Sequence, residues 1–150
     1  MNIVFVSGVF DILHHGHINF LQEAKRLGDK LIVGLLTDEG VMDYKSDKPI
    51  MNYVERWRVI RGIAGVDYIV EQENTDPTNT LKNLWRHHRQ LFPNILVRAD
   101  DVKPPVPGQE YIESKGGKVV IVPYSKGISS RDIKNRIIDK WSFGDRYNGE

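Results

Sequence analysis

Short apolar runs alternate along the chain with segments whose apolar residues recur at helical spacing. The runs are rich in β-branched residues and are typical of buried strands. Five strands are predicted: Ile3–Ser7, Leu31–Leu36, Tyr68–Val70, Ile95–Val97 and Val119–Val122. Strands separated by helices imply parallel pairing through right-handed crossovers. The pattern therefore predicts an α/β fold, a single Rossmann-like open parallel five-stranded sheet with helices on both faces.

Helical periodicity predicts the elements between the strands. The apolar stripes run over Phe20–Leu27, Trp57–Ala64, Leu81–Leu91 and Ile133–Trp141. Gly28 stands where a helix C-cap glycine is expected, and Ser129 is the expected N-cap of the last helix. The proline-rich segment Lys103–Pro107 is interpreted as a stiff loop. We expect one domain over residues 1–141 and a polar tail over residues 142–150.

Composition narrows the class of protein. The 150 residues are 40% hydrophobic and 27% charged, as in an ordinary globular domain with a sizeable core. A net charge of +1 gives no case for binding nucleic acid or a membrane surface. The absence of cysteine excludes disulfides and thiolate chemistry and fits a reducing compartment. The apolar first residues are too few to span a membrane and lack a basic leader, so a cytoplasmic protein is expected.

Three of the five histidines fall within four residues, around Gly16 and directly after the first predicted strand. Ligands of parallel sheets bind at the carboxyl ends of the strands, and the free N–H groups of a helix start there form an anion site. His14 and His17 are three residues apart, so their side chains can reach one point. Two imidazole donors at a helix N-terminus suit a phosphate that gains charge during a reaction. A metal site and a purely structural role are the alternatives, although zinc would need further ligands.

The stretch GVFDILHHGH, residues 8–17, resembles the G-x-F-D-x-x-H-x-G-H signature of the HxGH nucleotidyltransferase superfamily, and more closely its cytidylyltransferase branch. The resemblance covers about residues 3–138. It implies that His14 and His17 are catalytic and that His15 occupies the variable position between them. It further implies nucleotide binding by Gly8, Val9, Phe10, Asp11 and Gly16.

Two segments after the second predicted strand also resemble the superfamily. TDEGVMDYK looks like its T-D-E segment, followed by a lysine on a mobile loop. The resemblance implies that Lys45 is catalytic and that Asp38 and Lys48 contact the nucleotide, since a flexible lysine can carry its charge to a triphosphate. VERWRVI resembles the E-x-R helix start, so Arg56 is expected either to pair with a surface carboxylate or to help hold the phosphates.

RADD, after the fourth predicted strand, resembles the G-D-D of cytidylyltransferases, with Ala99 in place of the glycine. Two adjacent carboxylates cannot easily face the same way, so one of Asp100 and Asp101 is expected to act on the ribose, the cytosine or Mg²⁺. Mg²⁺ is the expected cofactor, held mainly by triphosphate oxygens rather than by a protein metal site.

PYSKGISSRDI, after the fifth predicted strand, resembles the superfamily's R-T-x-G-I-S-[ST]-[TS]-x-I and predicts a second anion site at a helix start. Tyr124 stands where many members have arginine, and Arg131 where many have a third small hydroxyl residue. Arg131 or Lys126 is expected to supply the missing cation, since a guanidinium grips phosphate well. The implied nucleotide-binding residues are Tyr124, Gly127, Ile128, Ser129, Ser130 and Arg131.

The resemblance implies a cytidylyltransferase that transfers CMP from CTP to a small phosphorylated or phosphonate acceptor and releases pyrophosphate. One alternative is an adenylyltransferase of the same superfamily acting on a sugar phosphate or another phosphorylated metabolite. A second is a nucleotide-binding sensor without catalysis. A Rossmann dehydrogenase is disfavoured because the first loop lacks G-x-G-x-x-G. A homodimer is expected from the resemblance alone, and the acceptor stays open.

Overall fold

The computed structural model describes residues 1–142. Its strands are β1 Ile3–Gly8, β2 Lys30–Leu36, β3 Tyr68–Gln72, β4 Ile95–Ala99 and β5 Lys118–Val122. Its helices are α1 His15–Lys25, α2 Asp38–Lys45, α3 Tyr53–Arg61, α4 Thr78–His87, α5 Gln109–Ser114 and α6 Ser130–Ser142, with a 3₁₀ turn at Arg89–Leu91. No helix within this range is long and apolar enough to cross a membrane. The predicted polar tail lies, apart from Ser142, outside the described residues.

The strands form one parallel sheet in the order β3-β2-β1-β4-β5, which confirms the predicted fold class. From β1 the chain moves outward through β2 to β3, then returns to the other side of β1 and continues through β4 to β5. The crossovers therefore change direction between β1 and β4. Open α/β sheets bind their ligands at such a switch point, beyond the carboxyl ends of the strands.

Each face of the sheet is covered by a separate apolar cluster. On the face that α1 and α3 cover, alternate strand residues pack with the helices, and we call it the α1 face; its buried members include Val4, Val6, Leu21, Ala24, Val33, Leu35, Ile60 and Val97. The opposite, α4 face contains Ile3, Phe5, Ile32, Leu81, Leu84, Leu96 and Ile112. Because both faces are buried, the strands are near-continuous apolar runs, as parallel strands usually are.

Two sequence predictions about helices differ from the structure. The segment expected to be a mobile loop around Lys45 is helix α2, which begins because the Thr37 hydroxyl accepts the Gly40 N–H at 3.1 Å and acidic residues occupy its first turn. Gly28 does not cap α1, which ends at Lys25. A Cβ on Gly28 would lie 2.7 Å from the Asn2 carbonyl oxygen, so close packing explains the glycine.

The remaining differences concern where helices end. The stripe predicted over Trp57–Ala64 ends at Arg61, and the stripe over Leu81–Leu91 divides into α4 and the 3₁₀ turn. Helix α5 was absent from the prediction. At the last helix the prediction agrees with the geometry: Ser129 Oγ accepts the N–H of Asp132 at 3.0 Å, as an N-cap does.

Candidate active site

The histidine loop joins β1 to α1 and fixes both imidazoles by their Nδ1 atoms. His14 is the N-cap of α1, and its Nδ1 accepts the Gly16 N–H at 3.1 Å. His17 Nδ1 accepts the His14 N–H at 3.1 Å, so the two rings form a capping box in the way that hydroxyl and carboxylate side chains usually do. Because each Nδ1 is an acceptor, each neutral ring carries its proton on Nε2, on the side away from the helix backbone.

The two rings lie together and are neutral near pH 7. Their centroids are 3.9 Å apart and their planes are inclined by 28°. Burial, and then repulsion from His14, lowers the pKa of His17 to about 4 against the opposite effect of Asp11. Burial, and then the charge of His15, lowers the pKa of His14. The pair therefore offers two N–H dipoles to a ligand without requiring either ring to be charged.

A strained backbone holds an aromatic ring beside His17. Phe10 and Ile12 have φ values of +53° and +46°, a region that non-glycine residues rarely occupy and that is unfavourable for a β-branched side chain. The Phe10 ring is 5.5 Å from the His17 ring, centroid to centroid. A Cβ on Gly8 would lie 3.0 Å from the Phe10 ring. Gly8 therefore makes room for Phe10, and Phe10 positions His17.

Asp11 secures this loop to the segment that precedes α3. Its carboxylate is buried and accepts the N–H groups of Ile50 at 2.8 Å and Met51 at 2.9 Å, with Lys134 Nζ at 3.5 Å. Burial alone would raise the pKa of Asp11, but the two N–H bonds and Lys134 together lower it. Asp11 was expected to contact the nucleotide. Since both oxygens already have donors, its carboxylate holds the loop, although the residue lines the cleft.

Arg56 pairs with a carboxylate, one of its two expected roles, but it does so inside the protein and not at the surface. Its side chain is fully buried and donates to the carbonyl oxygens of Met51, Val9 and Leu36 at 2.8 to 3.0 Å. It also forms an ion pair of 2.7 Å with Asp38. Neither Arg56 nor Asp38 lines the cleft. Because every Arg56 nitrogen is engaged inside the protein, the phosphate-holding role of Arg56 is corrected in favour of its alternative role, a pair with a carboxylate, whereas nucleotide contact by Asp38 stays a prediction. The pair ties together the loops that follow β1 and β2.

A cleft of about 630 Å³ opens at the carboxyl ends of β1 and β4, within the usual size range for small-molecule sites. It brings together most of the residues that the sequence singled out: Gly8, Val9, Phe10, Asp11, His14, Gly16, His17, Lys45, Asp101, Tyr124, Ile128, Ser129, Ser130 and Arg131. Residues that the sequence did not single out line it too: Ser7, Phe20, Arg98, Ala99, Pro123, Ser125 and Lys134. The switch point is therefore where the motif residues meet.

Three further predicted contacts lie outside this cleft. Asp100 Oδ1 accepts the Tyr124 N–H at 2.9 Å and so joins the ends of β4 and β5, which leaves Asp101 as the member of the pair in the cleft. Lys48 is exposed beyond the end of α2, away from the lining residues. Gly127 has a φ of +82° and makes the turn that places Ile128 in the cleft wall, and Gly127 itself does not line the cleft.

Cations collect where the starts of α1 and α6 approach each other. Lys45, Arg131 and Lys134 all line the cleft. Burial, and then the positive charges of Lys134 and Arg131, lower the pKa of Lys45, while Asp11 raises it. Ser130 Oγ donates to the Asp11 carbonyl oxygen at 2.5 Å and so joins the start of α6 to the loop that precedes α1. The region suits a polyanion, because helix N-termini add partial positive charge to that of the side chains.

Arg98 is the other cation that sequence reasoning missed. It follows the apolar run of β4 and lines the cleft, with its Nη1 atom buried and without a hydrogen-bond acceptor. Burial lowers the pKa of Arg98, against the effects of Asp101 and Asp76. Arg98 could have been found from the sequence, because it lies at the end of an apolar strand and just before the RADD segment's two aspartates.

The donor set fits a magnesium ion that arrives on a nucleotide. Within residues 1–142 no group of three or more His, Cys, Asp or Glu side chains could hold a metal ion. Mg²⁺ prefers oxygen ligands and is commonly bound through phosphates, waters and one or two carboxylates. Asp101 is a carboxylate on the cleft wall, whereas the Asp11 oxygens already accept N–H groups. Triphosphate oxygens, with Asp101 at most, would therefore be its ligands.

Known proteins share both the sequence and the fold. Residues 5–136 match the family described as Cytidylyltransferase-like. Curated relatives include the Bifunctional protein HldE of Syntrophotalea carbinolica, 34% identical over 95% of this chain, and that of Pelobacter propionicus, 36% identical over 93%. The chain spans only 28% of the length of these relatives.

Solved structures extend the likeness. A lipopolysaccharide core biosynthesis protein from Thermoplasma volcanium is 32% identical, with a TM-score of 0.66 over 85% of this chain and 99% of that one. Pantothenate synthetase from Thermus thermophilus, at 19% identity and a TM-score of 0.57 over 89% of this chain and 61% of that one, shares the fold alone. The family match, the histidine signature and the parallel sheet agree with the predicted superfamily, and the chain belongs to the cytidylyltransferase-like family of nucleotidyltransferases.

Proposed function

We propose that this chain transfers a nucleotidyl group from a nucleoside triphosphate to a small phosphorylated acceptor. The observation that carries the proposal is the stacked His14–His17 pair, with both Nε2–H groups available, in a cleft that also contains two helix starts and four cationic side chains. An ionised acceptor oxygen attacks the α-phosphorus. The bond from that phosphorus to the bridging oxygen breaks, and pyrophosphate leaves with the electron pair.

The side chains stabilise charge and do not move protons in this reaction. The attacking oxygen is already ionised, so no general base is required. His14 and His17 donate Nε2–H bonds to the α-phosphate as its charge redistributes, and losing one such donor typically costs about a hundredfold or more in rate. Lys45, Arg131 and Lys134 hold the β- and γ-phosphates. Mg²⁺, proposed as the cofactor on triphosphate oxygens, would supply further neutralisation of the pyrophosphate.

We propose ATP as the nucleotide and a sugar phosphate as the acceptor. The expectation of CTP depended on the carboxylates of the TDE and DD segments, but Asp38 is paired with Arg56 and Asp100 with the Tyr124 N–H, which weakens that argument. The HldE relatives and the lipopolysaccharide core protein support the sugar-phosphate alternative instead, since lipopolysaccharide cores are saccharides. CTP is the second candidate, favoured by the description of the matched family.

A pyrophosphate-release screen tests the proposal. ATP, CTP, GTP and UTP are each paired with mannose 1-phosphate, glucose 1-phosphate, glycerol 3-phosphate and phosphoethanolamine. We expect release with ATP and a sugar phosphate. His17→Asn should reduce it about a hundredfold, because the amide oxygen can still accept the His14 N–H while the distal donor is lost. CTP-dependent release would select the second candidate.

Binding measurements complete the screen. Calorimetric binding of a nucleotide without pyrophosphate release from any pair would favour the sensor instead. Wild-type rates from a folded His17→Asn protein would reject the assignment of the histidines. The homodimer also stays a prediction, and sedimentation equilibrium measures it directly.

A further inference from the structure

The α4 face changes from apolar to polar at the carboxyl edge of the sheet. Ser7, Arg98 and Gln72 follow the apolar residues of β1, β4 and β3 on this face, and Gly34 lies between Ile32 and Leu36 of β2. We call Ser7, Gly34, Arg98 and Gln72 the polar shelf. Ser7 pairs with Gly34 in the β1–β2 register. Arg98 lies two residues beyond Leu96, whose partner on β1 is Phe5, so the same register continued past the paired residues places it beside Ser7.

Gln72 directs an unpartnered oxygen across the shelf. The side chain is 1% exposed, and its Nε2 donates to the Asn74 carbonyl oxygen at 2.8 Å, which fixes the orientation of the amide. The other amide atom, Oε1, is buried without a hydrogen-bond partner. A Cβ on Gly34 would lie 2.5 Å from this oxygen, so the Gln72 side chain reaches back over β2 toward β1.

Arg98 supplies an unpartnered donor on the same shelf. Its Nη1 is buried without an acceptor. The carboxylates of Asp101 and Asp76 act on the guanidinium electrostatically, yet neither forms an ion pair with it within 4 Å. Buried polar groups are nearly always paired in folded proteins, so an orphaned donor and an orphaned acceptor on one face call for an explanation.

Two hydroxyl groups of one ligand would satisfy both orphaned atoms. A hydroxyl can donate and accept, so one can donate to Gln72 Oε1 while another accepts from Arg98 Nη1. Adjacent strands are about 4.8 Å apart, so the distance from Gly34 to Arg98, which lies two strands away, is about 10 Å. That span suits a molecule with several hydroxyls. Ser7 and Arg98 line the cleft with His14 and His17, whereas Gln72 and Gly34 lie behind this lining, so the shelf meets the reaction site at Ser7 and Arg98.

We propose that the polar shelf binds the hydroxyl-bearing part of the acceptor, and that Gln72 and Arg98 select neutral polyhydroxylated phosphates. This rests on the proposed function, which places the triphosphate by the histidines at the edge of the α1 face. The acceptor then approaches the α-phosphorus from the α4 side of the sheet edge. An amino-alcohol phosphate is disfavoured, because its ammonium group would meet the Arg98 guanidinium. A deoxygenated phosphate is disfavoured, because it leaves both orphaned atoms unpaired.

Kinetics with two apolar variants test the proposal. Gln72→Met and Arg98→Met keep much of the side-chain volume and remove the polar ends, and Arg86→Met is the matched control on the exposed surface of α4. The probes are mannose 1-phosphate, phosphoethanolamine and propyl phosphate, with ATP in excess. In each shelf variant the KM for mannose 1-phosphate should rise about ten- to a hundredfold. The KM for ATP should stay within about twofold, and the control should match the wild type.

The variants should also lose preference without losing their fold. Arg98→Met removes an unpaired buried polar end, so its thermal midpoint should be equal or higher, whereas a purely structural role of Arg98 predicts a lower midpoint and an unchanged acceptor KM. Gln72→Met also removes the hydrogen bond to the Asn74 carbonyl oxygen, so its midpoint should fall and only its acceptor KM tests the shelf. An equal rise in the KM for ATP and for the acceptor, or a wild-type preference for phosphoethanolamine or propyl phosphate, would overturn the shelf and leave the proposed function standing.

A binding arm separates the two proposals. If the wild type releases no pyrophosphate with any probe, the proposed function fails, and calorimetric titration of mannose 1-phosphate into the nucleotide-bound protein decides the shelf. Binding that weakens at least tenfold in Arg98→Met supports it. Absent binding, or equal binding by wild type and variant, overturns it.

Discussion

Neutral His17 distinguishes this site from one built on imidazolium cations. Its pKa is lowered to about 4, chiefly by burial, and its Nδ1 accepts the His14 N–H. At pH 7 such a ring is protonated in about one molecule in a thousand. Under the proposed function, the ring therefore offers a bound phosphate a neutral Nε2–H donor. We expect the ligand-free protein to show this tautomer across the neutral range.

The same shift makes the fold sensitive to acid. Relative to the ordinary pKa of 6.5, the lowering to about 4 corresponds to about 3 kcal/mol in favour of the neutral ring when folded. Between these two pH values the unfolded chain binds a proton at residue 17 that the folded chain does not, so the free energy of unfolding rises with pH. This contribution is complete above pH 6.5 and is lost as pH falls toward 4. The lowered pKa of Asp11 acts only below its ordinary 3.8, outside this window.

Two measurements check this prediction. Nitrogen–proton correlation NMR of the imidazoles gives the pKa and tautomer of His17 directly. Urea unfolding of the wild type and of His17→Asn between pH 4 and pH 7 gives the difference in pH dependence, with His14 common to both proteins. A measured pKa of 6 or more, a proton on Nδ1, or parallel stability curves for the two proteins would refute the reasoning.

Three more substitutions probe the supports of the cleft. Arg56→Met should lower the free energy of unfolding by about 3 to 5 kcal/mol in urea melts, because it leaves three carbonyls and a carboxylate without their donor. The control Arg58→Met, at an exposed position, should change it by less than about 0.5 kcal/mol. Equal losses in the two variants would contradict the buried network. Phe10→Leu should lower kcat more than it raises the KM for nucleotide, because the ring positions His17, and unchanged kcat in a folded variant would argue against that role. Lys134→Met should raise the KM for nucleotide about tenfold at low salt and less at high salt, and a salt-independent effect would remove this residue from the phosphate site.

The strands were the part of the fold that the sequence predicted best. A run such as Leu31–Leu36 is apolar throughout because a parallel strand is buried on both faces, and no surface helix of that length needs such a composition. The observed strands extend past the predicted ones at polar or small residues, among them Gly8, Lys30 and Gln72. Those positions continue the backbone pairing without contributing to the apolar pattern, so periodicity could not include them.

The arginines show where sequence reasoning reached its limit. A motif comparison left Arg56 either a surface carboxylate or the phosphates, yet it is fully buried and donates to carbonyl oxygens of three separate segments. Arg98 was passed over, although it lines the cleft. Whether a cation ends in a core or in a cleft depends on loops that meet only after folding. The place of Lys134 was easier to predict from the sequence, because it lies four residues after Ser130 on one helix and therefore on the same face.

A crystal structure with an unreactive ATP analogue and magnesium tests the central claim most directly. The account predicts the α-phosphate within about 3 Å of Nε2 of both His14 and His17, a hydrogen-bond distance, with the β- and γ-phosphates among Lys45, Arg131 and Lys134. A nucleotide bound away from the histidines, or rings that turn their Nε2 atoms away from its phosphates, would contradict it.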